Sequence, residues 1–451
     1  MSSIGLETSD GAPAPMKAHP YRYYVLAALL VVYTLNFLDR QFLTVLQEPV
    51  KKSLHLSDTQ MGMLTGVVFA LFYTVIGIPV GLLADRTNRK NVITGAMTIW
   101  SLFTADCEFA TNFITLAIPR MGVGVGEAGG APPSYSIVSD YFPPRQRGTA
   151  LAIFSLGVPF GTMFGAISGG YIAAQFGWQV AFKALGVVGL IIAPIFFLTV
   201  REPKRGVFEG GSSPHGGNPL SAIGLFFGRP MLAFTALACG ITAFVGYGML
   251  NWNPSLLMRV KGMKLQDLAL FYGLMSGITG AIGTFASGWL VDRLGAMRPR
   301  AYAMVPAVSI LLSLPFLIGA VYAPTWQLAL VLLAGPALLN NMYLAPALAV
   351  VQNAVPPHQR VVSGALLLFI LNLVGLGGGP VFVGAMSDHF KAGHLAAGMS
   401  APAASALGLQ QGLLSLGPVF VLAFLSWCVA GHFIARESRI RIKASSEPTA
   451  V

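Results

Sequence analysis

The sequence predicts an all-α membrane protein of twelve transmembrane helices, built as two six-helix bundles related by pseudo-two-fold symmetry. Three observations carry that prediction: an extreme apolar composition, a series of apolar runs of spanning length, and a weak repeat of one half in the other. Of the 451 residues, 55% are hydrophobic and 10% charged, and the mean hydropathy is +0.68. Soluble domains carry about 25% charged residues, so a chain this apolar could not cover its own surface in water. Lipid must be its solvent.

A bilayer core takes about 20 apolar residues as helix. Such runs fall near 22–46, 60–84, 91–109, 111–138, 148–174 and 180–200 in the first half. The second half has 231–257, 265–291, 302–322, 326–351, 361–386 and 411–434. These are helices one to twelve. The domain reading is a disordered cytoplasmic tail (1–20), an N-terminal bundle (21–200), a cytoplasmic linker (201–229), a C-terminal bundle (230–435) and a second cytoplasmic tail (436–451). The linker holds Glu209, Ser212, Ser213, Pro214 and a cluster of glycines. No short apolar core followed by a cleavage site precedes helix one, so no removable leader is expected.

Orientation follows from the basic residues. With the N-terminus inside, 19 of the 28 Lys and Arg face the cytoplasm and seven the exterior: Lys51, Lys52, Lys183, Arg259, Lys261, Lys264 and Lys391. Both termini are therefore expected in the cytoplasm. This distribution also accounts for the net charge of +11 without nucleic acid as a partner. The expected localisation is a bacterial inner membrane, since the tails are short and the sole sequon-like triplet, at Asn253, is blocked by Pro254. The remaining two cations, Arg40 and Arg120, lie within predicted helices.

The repeat is visible at two places. Gly81, Asp85, Arg86, Arg89 and Lys90 follow helix two, and Gly288, Asp292, Arg293, Arg298 and Arg300 follow helix eight. Pro143-Pro144-Arg145-Gln146-Arg147 precedes helix five, and Pro356-Pro357-His358-Gln359-Arg360 precedes helix eleven. Gly81 to Gly288 is 207 residues and Pro143 to Pro356 is 213, so the matches keep register across the linker, as a duplication requires. The Gly-x-x-x-Asp-Arg block resembles the signature loop between helices two and three of the major facilitator superfamily, with Asn88 where that family has glycine. Asn36-Phe37-Leu38-Asp39-Arg40-Gln41 on helix one, and Arg120 through Ala128 on helix four, resemble the Spinster family within it. The resemblance implies a state-dependent latch at Gly81, Asp85, Arg86, Arg89, Gly288, Asp292 and Arg293. It also implies a lysophospholipid or sphingoid-phosphate type of substrate. Physically, Gly81 would permit close helix approach.

Asp39, Arg40, Arg120 and Glu127 are the ionisable residues placed deep within spans. A charge at mid-bilayer costs about 2.5–3.5 kcal/mol on insertion scales, so these side chains should face protein or an aqueous cavity. Tyr33, Asn36, Arg40 and Thr44 form one polar stripe on helix one, with Asp39 at its edge. Arg120 and Glu127 lie about 10 Å apart along helix four, too far to pair directly but each able to meet a charge from helix one. Two acids and two guanidiniums sum to zero. Protonating one acid frees a guanidinium for an anion, so proton and anion would bind cooperatively. Asp39 and Glu127 are thus expected to couple protons, and Arg40 and Arg120 to recognise the anion. Asn36, Tyr33, Tyr247 and Asn251 are the other expected substrate contacts. Asn340, Asn341, Tyr343 and Asn372, with Phe244, Trp252 and Phe271, are further cavity candidates in the second half. A structural salt-bridge cluster is the bland reading of the same four charges.

Helix five carries Gly157, Gly161, Gly165 and Gly169 at four-residue spacing, a close-packing stripe for which Gly273, Gly277 and Ala281 on helix eight are a plausible partner. Gly375 and Gly377-Gly378-Gly379-Pro380 should weaken helix eleven. Cys107, Cys239 and Cys428 show no metal-ligand spacing, His55, His389 and His394 fall in outer loops or helix ends, and Gly124-Val125-Gly126 follows no strand. No enzyme, metal or cofactor is expected. The reading is a monomeric alternating-access carrier, proton-coupled, for an anionic amphiphile, with the bilayer, the substrate and protons as partners. A proton-coupled symporter of small organic anions is the nearest alternative. A lipid scramblase or channel would need a continuous hydrophilic groove.

Overall fold

Residues 20–205, 219–295, 298–356 and 359–446 are described by a computed structural model. Most of the expected N-terminal tail, the centre of the linker, and Pro357 and His358 of the second repeat lie outside the described residues. Among the described residues, ten helical stretches are long and apolar enough to cross a bilayer. The other two crossings are helix three (Arg89–Asp106) and helix four (Phe113–Glu127 with Ala131–Tyr141). Helix three is polar at both ends, and helix four is broken.

The breaks have local causes. Pro132 and Pro133 have no N–H to donate into the preceding turn, so helix four stops at Glu127 and restarts at Ala131. The sequence reading ran it unbroken from 111 to 138, because hydropathy does not fall across Gly129-Gly130. Helix ten breaks in the corresponding place in the second bundle, between Trp326–Leu339 and Leu344–Ala354, with Asn340 and Asn341 at the gap. Helix eleven unwinds into a π segment at Leu371–Leu376 just before its glycine run, which agrees with the weakening expected there. Part of the linker is helical, at Pro219–Gly228.

The largest boundary error is at helices eleven and twelve. Helix eleven runs on to Ala396 and the next helix begins at Ala401, so the expected loop of residues 387–410 is a tight helical hairpin. His389 and His394 therefore lie in the last two turns of helix eleven, at a helix end and not in a loop, the two places the sequence reading left open. Polar residues there read as loop because solvated helix ends and loops share one composition. The chain then turns at Ser415 and Leu416 into Gly417–Ser446.

Glycines set the packing. The helix-five stripe does not meet helix eight: a Cβ at Gly161 would strike the Thr34 carbonyl and one at Gly165 the Leu38 carbonyl, both on helix one. Gly273 and Gly277 of helix eight instead abut Met163 and Ala166 on the adjacent face of helix five. Helix five thus joins helix one within its own bundle and helix eight across to the other. Helix two (Asp58–Arg86) crosses helix eleven where Gly62 and Gly66 lie against the carbonyls of Pro380 and Gly377. These contacts between bundles all gather at the end away from the linker. At the linker end the facing surfaces stand apart: a Cβ on Gly77, Gly81 or Gly288 would meet open space, and Leu82, Leu83, Phe285 and Trp289 are exposed. The molecule is open on the linker side and closed on the other.

Candidate functional site: a buried charge cluster between two gates

Helix one (Tyr21–Val45) and helix four bring the four intramembrane charges together as two ion pairs. Arg40 Nε donates to Glu127 Oε2 at 2.6 Å, and Arg120 Nη1 donates to Asp39 Oδ1 at 3.0 Å. Thr104 on helix three donates its hydroxyl to the second Asp39 oxygen. Each pair joins helix one to helix four, as the seven-residue spacing of Arg120 and Glu127 required. The Phe69 ring of helix two lies against both guanidiniums, 5.0 Å from that of Arg40 and 5.4 Å from that of Arg120. Cation–π contacts of this kind offset part of the cost of desolvating an arginine. Glycines hold helix four close enough: Gly124 abuts the Phe69 carbonyl and Gly126 the Trp100 backbone.

The two pairs differ in access. Arg120 and Asp39 are each 2% exposed, whereas the Arg40 side chain keeps 16% of its surface open. Arg40 also sits 4.4 Å from the Tyr73 ring and 4.9 Å from Phe37, and within electrostatic range of Tyr247 in the other bundle. Glu127 Oε1 has no partner among the described residues, nor has Arg120 Nε. Glu127 is the last residue of its half-helix, where unpaired carbonyls concentrate negative potential. That position increases the demand for Arg40 as counter-charge.

The other sequence-predicted contacts divide. Tyr33 stacks on Phe154 at 4.4 Å, and Asn36 is buried beside the helix-four break with its Nδ2 unpartnered among the described residues. Asn251 is buried and bonds Thr65 at 2.9 Å and Thr44 at 3.4 Å, so in this conformation it joins the bundles instead of lining the opening. Trp252 is fully buried and donates to the Pro380 carbonyl at 2.9 Å. Phe271 is exposed, against Trp326 of its own bundle. Asn340 and Tyr343 remain half-buried, as does Asn372.

The linker-side latch residues are disengaged. Asp85 and Asp292 are exposed and make no ion pair among the described residues, and the close approach expected at Gly81 and Gly288 is absent because this end is open. Arg86 and Arg293 are exposed as well, the latter 5.5 Å over the Trp289 ring. Arg89 is different: buried, it holds Asp140 at 2.5 Å and Glu202 at 2.7 Å, fastening helices three, four and six within one bundle. Arg205, at the start of the linker, caps the end of helix two by donating to the carbonyls of Ala84 (2.8 Å), Asp85 and Thr87.

Sequence reasoning missed the opposite gate. Arg259, at the end of helix seven (Pro230–Val260), reaches across to Glu48 at 2.6 Å and to Asp58 at 2.7 Å. Lys51 also pairs with Asp58, and Ser387 donates to the same carboxylate at 2.6 Å. Asp388 in turn accepts from the backbone N–H of Asp58 (3.1 Å) and Thr59 (2.7 Å), capping helix two from the other bundle. Burial, then the nearby Arg259, pushes Lys51 below the ordinary lysine value. One signal was available: Lys51 and Arg259 stand on the side that charge bias should leave poor in cations. Arg259→Ala is expected to loosen this end, because Glu48 would lose its ion-pair partner and Asp58 would keep Lys51 alone among the described residues. Losing one partner of a buried, hydrogen-bonded pair costs about 2–5 kcal/mol, enough to shift the open population at least ~30-fold. A Thr65→Cys probe behind the gate, labelled by an impermeant thiol reagent, should react faster in that variant; an unchanged rate would show that Arg259 does not lock this end.

The comparisons agree with this geometry. The Major Facilitator Superfamily sequence model matches residues 29–380. A protein described as an MFS-type efflux pump from Mycolicibacterium smegmatis is 34% identical, covering 80% of this chain and 83% of its own. A hexuronate transporter from Bacillus subtilis is 30% identical over 81% of this chain and 87% of its own. Among solved structures, a bacterial homologue of the human lysosomal transporter Spinster, inward-facing and unoccupied, superposes with a TM-score of 0.83 at 33% identity, covering 92% of this chain and 98% of that one. Family match, twelve-helix fold and paired intramembrane charges converge: this chain is a multi-pass membrane protein of the major facilitator superfamily and resembles its Spinster members.

Proposed function

We propose that the chain is a proton-coupled carrier working by alternating access, and that its substrate is an anionic amphiphile of the lysophospholipid or sphingoid-phosphate type. The observation that carries this reading is the Arg40–Glu127 pair. Arg40 is the one cation of the cluster with open surface, and its single ion-pair partner is a carboxylate with a free oxygen. A proton on Glu127 Oε1 removes that counter-charge, and the cluster passes from neutral to net positive beside the opening. An anionic headgroup then replaces the carboxylate on Arg40. An anion arriving first frees Glu127 to take a proton, so each ligand favours the other.

Arg120, which the sequence reading paired with Arg40 as an anion contact, is fully buried on Asp39, whose other oxygen accepts from Thr104. Its role in this account is to hold helices one, three and four in the arrangement that presents Arg40. The aromatic surroundings of Arg40, and the Phe244–Phe382 pair at 5.4 Å within the second bundle, suit the apolar part of an amphiphile. The charge bias of the loops supports a cytoplasmic position for the open linker end, in a bacterial inner membrane, and with it an inward-facing conformation. Small organic anions are the second reading, favoured by the hexuronate transporter relative. Counterflow in proteoliposomes against a panel of lysophospholipids, sphingoid phosphates and hexuronates decides between them. Exchange with the lipids alone supports the first reading, and exchange with the sugar acids alone replaces it.

In this account Asp85 and Asp292 engage only when the linker side closes. Asp85→Ala and Asp292→Ala should therefore slow the cycle while leaving substrate affinity within about twofold. Transport rate and equilibrium binding measured on the same preparations separate the two effects. Loss of binding with an unchanged rate constant for closure would contradict the latch.

A further inference from the structure

We propose that the groove between the start of helix one and the end of helix six binds the phosphate headgroup of an anionic phospholipid from the linker-side leaflet. The groove encloses about 720 Å³ and is lined by Tyr21, Tyr24, Leu198, Thr199 and Arg201. It lies where helix one begins, at Tyr21, and helix six (Trp178–Thr199) ends, which is headgroup depth. Tyrosines favour that depth, with the ring in the apolar layer and the hydroxyl at its polar edge.

The site is rigid. Tyr21 donates to the Thr199 carbonyl at 2.6 Å and accepts from the Arg201 N–H at 2.8 Å. Tyr24 donates to the Thr199 hydroxyl at 2.6 Å, and Tyr141 to the Arg201 carbonyl at 2.8 Å. The Arg201 backbone is thereby fixed from both sides, while its guanidinium is exposed, 5.8 Å over the Tyr21 ring, with no carboxylate partner among the described residues. The nearest candidate, Glu202, is taken by Arg89 and by the Lys90 N–H. Lys90 lies 4.3 Å over the Phe197 ring and donates to the Phe197 carbonyl at 3.2 Å, which leaves Arg201 as the cation of the groove lining.

The apolar flank matches. Ile191, Ile195 and Leu198 form one exposed stripe on helix six, with Leu198 79% exposed, and Tyr24 and Val31 are exposed on helix one. An acyl chain can lie along this seam while the phosphate meets Arg201. A phosphate diester at the end of a hydrocarbon chain is what such a cation above an apolar stripe recognises, and a juxtamembrane cation favours anionic over zwitterionic lipid by about fivefold.

The test is native mass spectrometry of the full chain in detergent, titrated in parallel with phosphatidylglycerol and phosphatidylcholine. The wild type should retain phosphatidylglycerol about fivefold better. Arg201→Gln should lose that preference, and Arg201→Lys, which keeps the charge, should restore most of it; a folding defect would not follow charge in this way. Millimolar inorganic phosphate should leave the bound lipid in place. An absent preference in the wild type, an unchanged one in Arg201→Gln, or displacement by inorganic phosphate would overturn the proposal.

Discussion

Arg40→Ala is expected to lower counterflow at least ~30-fold, the equivalent of the ~2 kcal/mol lower bound for truncating one partner of a buried, hydrogen-bonded charge pair. Two losses combine. The anion forfeits the one guanidinium of the cluster with open surface, and Glu127, buried at the end of its half-helix, is left without a counter-charge. Arg40→Lys keeps the charge but gives up the planar fork and the ring contacts with Phe37, Phe69 and Tyr73, so it should recover only part of the activity. The thermal midpoint in detergent distinguishes this from misfolding: a variant that melts near the wild type yet fails in counterflow has lost recognition. Near-wild-type counterflow in Arg40→Ala would remove Arg40 from the substrate path.

The site was legible where chemistry is rare. Four charges within apolar spans must find partners because lipid supplies none, and periodicity alone put Arg120 and Glu127 on one face at the separation that two helix-one residues can bridge. Which arginine stays accessible was not legible. That depends on Thr104 and on Gly124 and Gly126, which draw helices two and three against helix four, and no spacing on a single helix reports such an approach.

Much of the fold was legible as well, since ten of the crossings are continuous in hydropathy. The rest was hidden for two reasons. The breaks at 128–130 and 340–343 interrupt hydrogen bonding without interrupting hydropathy, and the partner of the helix-five glycines is a tertiary choice. The outer gate joins Asp58 to Arg259 and Asp388 across some two hundred to three hundred residues, and in sequence these charges look like ordinary solvated loop residues.

A proton on Glu127 and an anion on Arg40 should bind cooperatively. Glu127→Gln imitates the protonated acid: it cannot balance Arg40, so the cluster is net positive at every pH. In proteoliposomes with an imposed pH gradient, wild-type uptake should rise as the substrate side is acidified, because the unprotonated carboxylate competes with the anion. Glu127→Gln should bind anion but show a flat pH profile, with accumulation against the gradient abolished; Asp39→Asn, on the inner pair, probes whether the second acid shares the role. A flat profile in Glu127→Gln with retained binding is the predicted result. A wild-type pH profile in both acid variants would contradict the account and leave the cluster a structural tie between helices one and four.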